Sequence, residues 1–143
     1  MALAAAQVID AVAALIAPQA GLGSGGVKTS RNHPWAEADL PAVRVFANDE
    51  QVEQLTLDGS INRHTLAISA QYATRAVSDV DDAMHSLAAA GLALLFAGSP
   101  PHNLQLTQIE REMATEGEAA VGAITLQLQA IFHVAPAAPE TIL

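Results

Sequence analysis

The sequence predicts an α+β domain: a mixed or antiparallel sheet of about five strands with two helices packed on one face. Three observations lead there. Residues 2–17 and 78–97 repeat apolar side chains at helical spacing. Leu66 to Tyr72 and Ile124 to Val134 alternate apolar and polar residues with a period of two. Turn signals, Asp58-Gly59 above all, join strand patterns into hairpins and so demand antiparallel pairing. Two apolar helices beside such a sheet must cover one of its faces.

The elements follow in order. Val8, Ile9, Val12, Leu15 and Ile16 form the stripe of the first helix, which Pro18 stops. Residues 21–26 hold four glycines and read as a flexible loop. Val27 to Arg31 reads as a short edge strand, and Asn32 to Trp35 as an irregular connection. Ala42 to Phe46 and Val52 to Leu57 read as two strands with Asn48-Asp49-Glu50 as the turn between them. A long strand follows the Asp58-Gly59 turn. In the second helix, Ser78 stands at the cap with Asp81 at the capping-box position. Val80, Met84, Leu87, Gly91, Leu94 and Leu95 form its buried stripe. In the last hairpin the apolar parity slips after Leu106, which predicts a bulge near Gln108. Residues 115–118 form its turn. One domain is expected over residues 1–134, with 135–143 as a loose tail.

The composition narrows the function. Fifteen acidic residues against six basic ones leave a net charge of −9. Phosphate binding needs clustered Lys and Arg, so nucleic-acid wrapping and anionic membrane surfaces are poor fits. With no Cys, thiolate catalysis, disulfides and Cys-ligated metals are excluded. The core must be aliphatic and small, because 31 residues are Ala and five are aromatic. The longest apolar run, Leu87 to Gly98, is too short for a span of roughly 20 residues. The N-terminal apolar stretch lacks a positive region, since the first basic residue is Lys28, and this reads as a cytosolic helix rather than a signal.

No catalytic constellation stands out. Gly21, Gly23 and Gly26 spell a nucleotide-binding pattern, but a helix precedes them and none follows, the reverse of what phosphate binding needs. The five histidines form no His-x-x-x-His pair, although His64, His85 and His133 are left free to cluster in space. Glu110, Glu112, Glu116 and Glu118 sit around a hairpin tip, where a solvated acidic edge is the plain alternative to a catalytic carboxylate pair. No cofactor and no metal are expected.

The order of features resembles one family. The chain has a leading helix, then a loop with Arg31 and Pro34, then Leu40-Pro41-Ala42-Val43-Arg44-Val45 opening a strand. An acidic turn at Asp49-Glu50, a long strand from Arg63, an Asp-rich start to the second helix at Ser78 to Asp82 and a closing acidic hairpin follow. In this it is similar to the tail terminator (tail completion) proteins of long-tailed bacteriophages, over about residues 2–134. The glycine-rich loop and the Pro-Ala tail depart from that pattern.

The resemblance implies a structural virion protein rather than an enzyme. Six copies would form a ring at the head-proximal end of the tail, after assembly in the host cytoplasm. The ring would contact the tail tube protein on one side and a head–neck connector on the other, and double-stranded DNA would cross its lumen without specific binding. An acidic inner wall suits that passage because it repels phosphate. Asp49, Glu50, Glu53, Glu110, Glu112 and Glu116 are the acidic residues for such a wall. Arg31, Trp35, Arg44 and Arg63 are the expected subunit or tube contacts, since Arg and Trp often anchor interfaces. Trp35 has a second reading, as a cap on the small core. Two other functions fit the same features: a head–tail joining (neck) protein, and a small ligand-binding domain or enzyme using the acidic edge and the histidines. Tail length separates the first of these from a terminator, and stoichiometric ligand binding would mark the second.

Overall fold

A computed structural model describes residues 3–23, 25–29, 40–76, 79–116 and 119–143. It shows the expected α+β architecture, a five-stranded mixed sheet with two helices. The elements run α1 (Ala4–Ile16), β1 (Val27–Lys28), β2 (Ala42–Gln54), β3 (Asn62–Ala76), α2 (Val80–Leu95), a short 3-10 turn (Pro101–Asn103), β4 (Gln105–Glu116) and β5 (Ala119–Val134). The strand order is β1-β2-β3-β5-β4. Among the described strands β1 and β2 run parallel and the other pairs antiparallel.

The alternating strands pair in a register that puts their apolar residues on one face. Val43, Tyr72 and Ile124 share one row, and Val45, Ala70 and Leu126 the next. All six are buried. Onto this face pack α1, through Val8, Val12 and Ile16, and α2, through Met84, Ala88 and Leu95. Each large aliphatic side chain removed from water contributes about 1.5–3 kcal/mol.

Two glycines set how closely α2 approaches the sheet. A Cβ on Gly91 would lie 2.0 Å from the Tyr72 hydroxyl oxygen, and one on Gly122 would lie 2.5 Å from Met84 Sδ. The Tyr72 hydroxyl donates to Gln19 Oε1 at 2.6 Å, and Gln19 Nε2 donates to the Leu87 carbonyl at 3.0 Å. Gln19, just past α1, thus ties the sheet to α2, and its burial is matched by two partners.

Three local expectations need correction. Asn48-Asp49-Glu50 is not a turn. β2 is one strand, and its register with β3 shifts between Ala47 and Glu50, where β2 carries one extra residue. A polar triplet reads as a turn in sequence, but here pairing resumes on its far side, so the backbone bulges instead of reversing. The helix start is displaced as well. Asp79 occupies the N-cap position in a left-handed conformation and makes no side-chain cap; Ser78 lies outside the described residues.

The third correction concerns residues 135–143, which are not loose. The Ala4 N–H donates to the Pro139 carbonyl at 3.0 Å, and Gln7 Nε2 donates to the Glu140 carbonyl. Val134 bridges Ile142, and the Leu143 N–H donates to the His133 carbonyl at 2.9 Å. The physical reason lies in α1, whose N-cap residue, Leu3, makes no side-chain cap. The first N–H groups of a helix need acceptors, and the Pro139 carbonyl takes the N–H of Ala4.

The expected bulge in the last hairpin is present, as a register shift between Leu106 and Gln108. The proposed turn at 115–118 falls partly outside the described residues, as does the connection containing Asn32 to Trp35.

Candidate interaction surface

The helices cover one face of the sheet, and the other is built from the alternate residues. Its rows run Arg44, Gln71, Thr125, Glu110 and then Phe46, Ser69, Gln127, Gln108 across β2, β3, β5 and β4. Amides and hydroxyls bond along it. Arg44 donates to Gln71 Oε1 at 2.5 Å, Asn48 Nδ2 to Ser69 Oγ at 2.6 Å, and Ser69 Oγ to Gln127 Oε1 at 2.9 Å. Gln108 Nε2 donates to Glu110 Oε1 at 3.2 Å. Asp49, Gln51, Thr65, Ala67 and Gln129 line a shallow cavity of about 190 Å³ on the same face.

The register sorts the sequence-predicted acidic residues. Glu110 pairs Thr125 and Glu112 pairs Ala123, which sets both on the open face. Asp49 lines the open-face cavity, and Glu53 lies opposite Arg63. Glu50 departs from this group. The β2 bulge reverses parity, so Glu50 pairs Leu66 and lies on the helix side. Glu116 ends β4 opposite Ala119, and its side chain is outside the described residues. Arg31 and Trp35 are likewise outside them.

Arg63 forms an exposed ion pair with Glu53 across β2 and β3. Arg44 is some distance along the same strands, in the row of Gln71. The structure therefore places the two arginines on one face without bringing them together.

A second polar pair was missed from sequence. His64 Nδ1 is 3.2 Å from Glu50 Oε2, and the His64 ring stacks on Phe132 with centroids 5.2 Å apart. His102, with φ of 54°, makes a T-shaped contact with the same Phe132 ring, centroids 6.3 Å apart. Leu3, Ala4, Ala5, Glu50, Val52, His64 and Pro139 line a cavity of about 330 Å³ there. The lining beside the pair is apolar, from Leu3, Ala4, Ala5, Val52 and Pro139. The signal was in the sequence only conditionally, because Glu50 and His64 face each other once β2 carries an extra residue.

His64, His85 and His133 do not converge. His64 is on the helix side, His133 pairs Arg63 on the open face, and His85 on α2 accepts a hydrogen bond from Arg111 at 3.1 Å. Among the described residues no three His, Asp or Glu side chains gather as metal ligands. No described helix is long and apolar enough to cross a membrane.

Comparison with protein-family models finds none that matches the chain, and comparison with curated proteins finds no match either.

Proposed function

We propose that this chain is a structural virion protein of a long-tailed phage, a subunit of a six-membered ring that caps the tail tube. The ring stops addition of tube subunits and presents a surface to the head–neck connector. The chain performs no catalytic step in this reading and needs no cofactor. DNA crosses the lumen without being bound.

The observation that supports this reading is the open face of the sheet. It carries Thr, Ser, Gln and Asn side chains between Phe46, Ala67, Ala123 and Ile131, with carboxylates at Asp49, Glu53, Glu110 and Glu112. A face of this kind suits solvent or a neighbouring subunit, and its carboxylates repel a passing phosphate backbone. The order of elements adds to it, because it follows the family pattern that the sequence resembles.

Native mass measured across a wide concentration range, with negative-stain imaging, is the direct test. The expected species is a ring of about six times 14.8 kDa. In the parent phage, loss of the protein should give overlong tails. Finished tails of normal length that fail to join heads would replace the terminator reading with the neck reading.

A further inference from the structure

Polar side chains on the open face of the sheet divide into two groups. Those of the first group bond to one another: Arg44 to Gln71, Asn48 to Ser69, Ser69 to Gln127 and Gln108 to Glu110. The second group lines the shallow cavity of about 190 Å³. Among the described residues, the side chains of Asp49, Gln51, Thr65 and Gln129 make no hydrogen bond or ion pair, although all four share that lining. Their lone pairs are left to water or to a ligand.

The bulge in β2 brings this group together. It sets two consecutive residues to work on one face, so that Asn48 bonds Ser69 while Asp49 lines the cavity. Past the bulge, Gln51 pairs Thr65 of β3. Gln129 of β5 pairs Ala67 on the other side of β3. Ala67, the smallest residue of the lining, leaves a depression between the longer side chains of β2 and β5.

Size and chemistry together define the occupant. Cavities for whole small molecules run from about 300 to 1,000 Å³, so this one takes a single functional group. The ionised Asp49 carboxylate only accepts hydrogen bonds, and the Gln51, Gln129 and Thr65 oxygens accept as well. A cation rich in donors meets all four. The acceptors stand on β2, β3 and β5, whose outer two members lie about 10 Å apart, twice the strand spacing. A compact ammonium with three donors reaches part of that width. The planar guanidinium has five N–H groups and can engage the carboxylate through two of them while others turn to the amides. A shallow cavity covers too little of a free molecule to hold it, so the group must be carried by a larger body. The described arginines of a second copy are already engaged: Arg44 with Gln71, Arg63 with Glu53, Arg111 with His85, and Arg75 is not free either.

We propose that the cavity of Asp49, Gln51, Thr65 and Gln129 receives the guanidinium of an arginine side chain from a protein of different sequence. The inference goes beyond the terminator reading, and it assigns Asp49 to an interface instead of the lumen wall.

The test is a resonance titration of the full chain with N-acetyl-arginine amide, run beside the lysine analogue, at about 0.15 M salt to screen distant charges. The arginine probe should give saturable shifts at the side-chain amides of Gln51 and Gln129 and at the Thr65 N–H, and the lysine probe much smaller ones. Asp49→Asn keeps the shape and should weaken the arginine probe about tenfold, the scale of losing a charge-assisted bond. Ala67→Val suits a strand and fills the depression, and should also weaken it. An equal response to lysine, an affinity unchanged by Asp49→Asn, or shifts spread evenly over Glu53, Glu110 and Glu112 would overturn the proposal. Shifts at Gln51 and Gln129 that grow with protein concentration in the absence of probe would overturn it too, by assigning the site to a second copy. Native mass and tail length, which decide the terminator reading, are independent of all these outcomes.

Discussion

Gly91 lies so close to Tyr72 that a methyl in place of its hydrogen would sit 2.0 Å from the phenolic oxygen and 2.8 Å from Cζ. The contact sets how near α2 comes to the sheet. Gly91→Ala must therefore push the helix away or displace the tyrosine, which is itself fully buried and bonded to Gln19. Overpacking of this kind costs about 1–3 kcal/mol. Tyr72→Phe leaves the buried Gln19 Oε1 without its donor, a loss of about 1–3 kcal/mol. The pair should not be additive, because removing the hydroxyl also removes the worst clash. Urea unfolding of the two single variants and the double variant measures this. A double variant as unstable as the two losses combined would contradict the contact.

Tyr72 is also the chain's only tyrosine, so its ionisation can be watched alone. Burial pushes its phenol well above the usual value of 10. The folded state thus favours the neutral form, and the unfolded chain releases the proton first as pH rises. Stability is fully present below pH 10 and falls above it. Phenolate absorbance should stay flat through pH 10 and rise together with loss of helical circular dichroism. A phenolate signal that appears near pH 10 in a still-folded protein would show that the hydroxyl is not buried.

The fold was largely legible because its signals are long and periodic. Ile124, Leu126, Leu128, Ala130, Phe132 and Val134 alternate without a break, and all six are buried. The parity slip after Leu106 announced a real bulge. The same kind of slip at Asn48-Asp49-Glu50 was hidden by polar residues that also suit a turn, and only pairing with a distant strand decides between them. That bulge determines which acidic residues share a face, so Glu50 could not be sorted from Asp49 and Glu53 by spacing. The docked segment 135–143 was illegible for a related reason: it is held through backbone carbonyls and the Leu143 N–H, which carry no sequence signature.

Asp58 anchors the β2–β3 loop. Hydrogen bonds from Ser60, through its side chain and backbone, and from Thr56 lower its carboxyl from 3.8 to about 2. The group contributes to loop order above pH 3.8 and loses that contribution as pH falls through about 2. Asp58→Ala should speed amide exchange at Ser60 at neutral pH, while exchange in β5 stays unchanged. Carboxyl carbon shifts should place the Asp58 midpoint well below those of ordinary aspartates. A midpoint at the ordinary value would mean that the Asp58–Ser60 contact is not held in solution.

Arg63 offers a test that separates assembly from folding. Its ion pair with Glu53 is exposed on both sides, with side-chain exposures of 41% and 62%. Pairs of this kind contribute at most about 1 kcal/mol. Arg63→Glu sets like charges across two strands, yet it should move the melting temperature by less than about 4 °C. If Arg63 contacts another subunit or the tube, the same change should impair ring or tail assembly. The exchanged variant, Glu53→Arg with Arg63→Glu, separates the two effects. It restores the internal pair but leaves the reversed charge facing any outside partner. Assembly should therefore remain defective in the exchanged variant, read as overlong or headless tails by electron microscopy. Recovery of normal tails in the exchanged variant would assign Arg63 to hairpin structure alone. Normal tails joined to heads in Arg63→Glu itself would remove the residue from the interface.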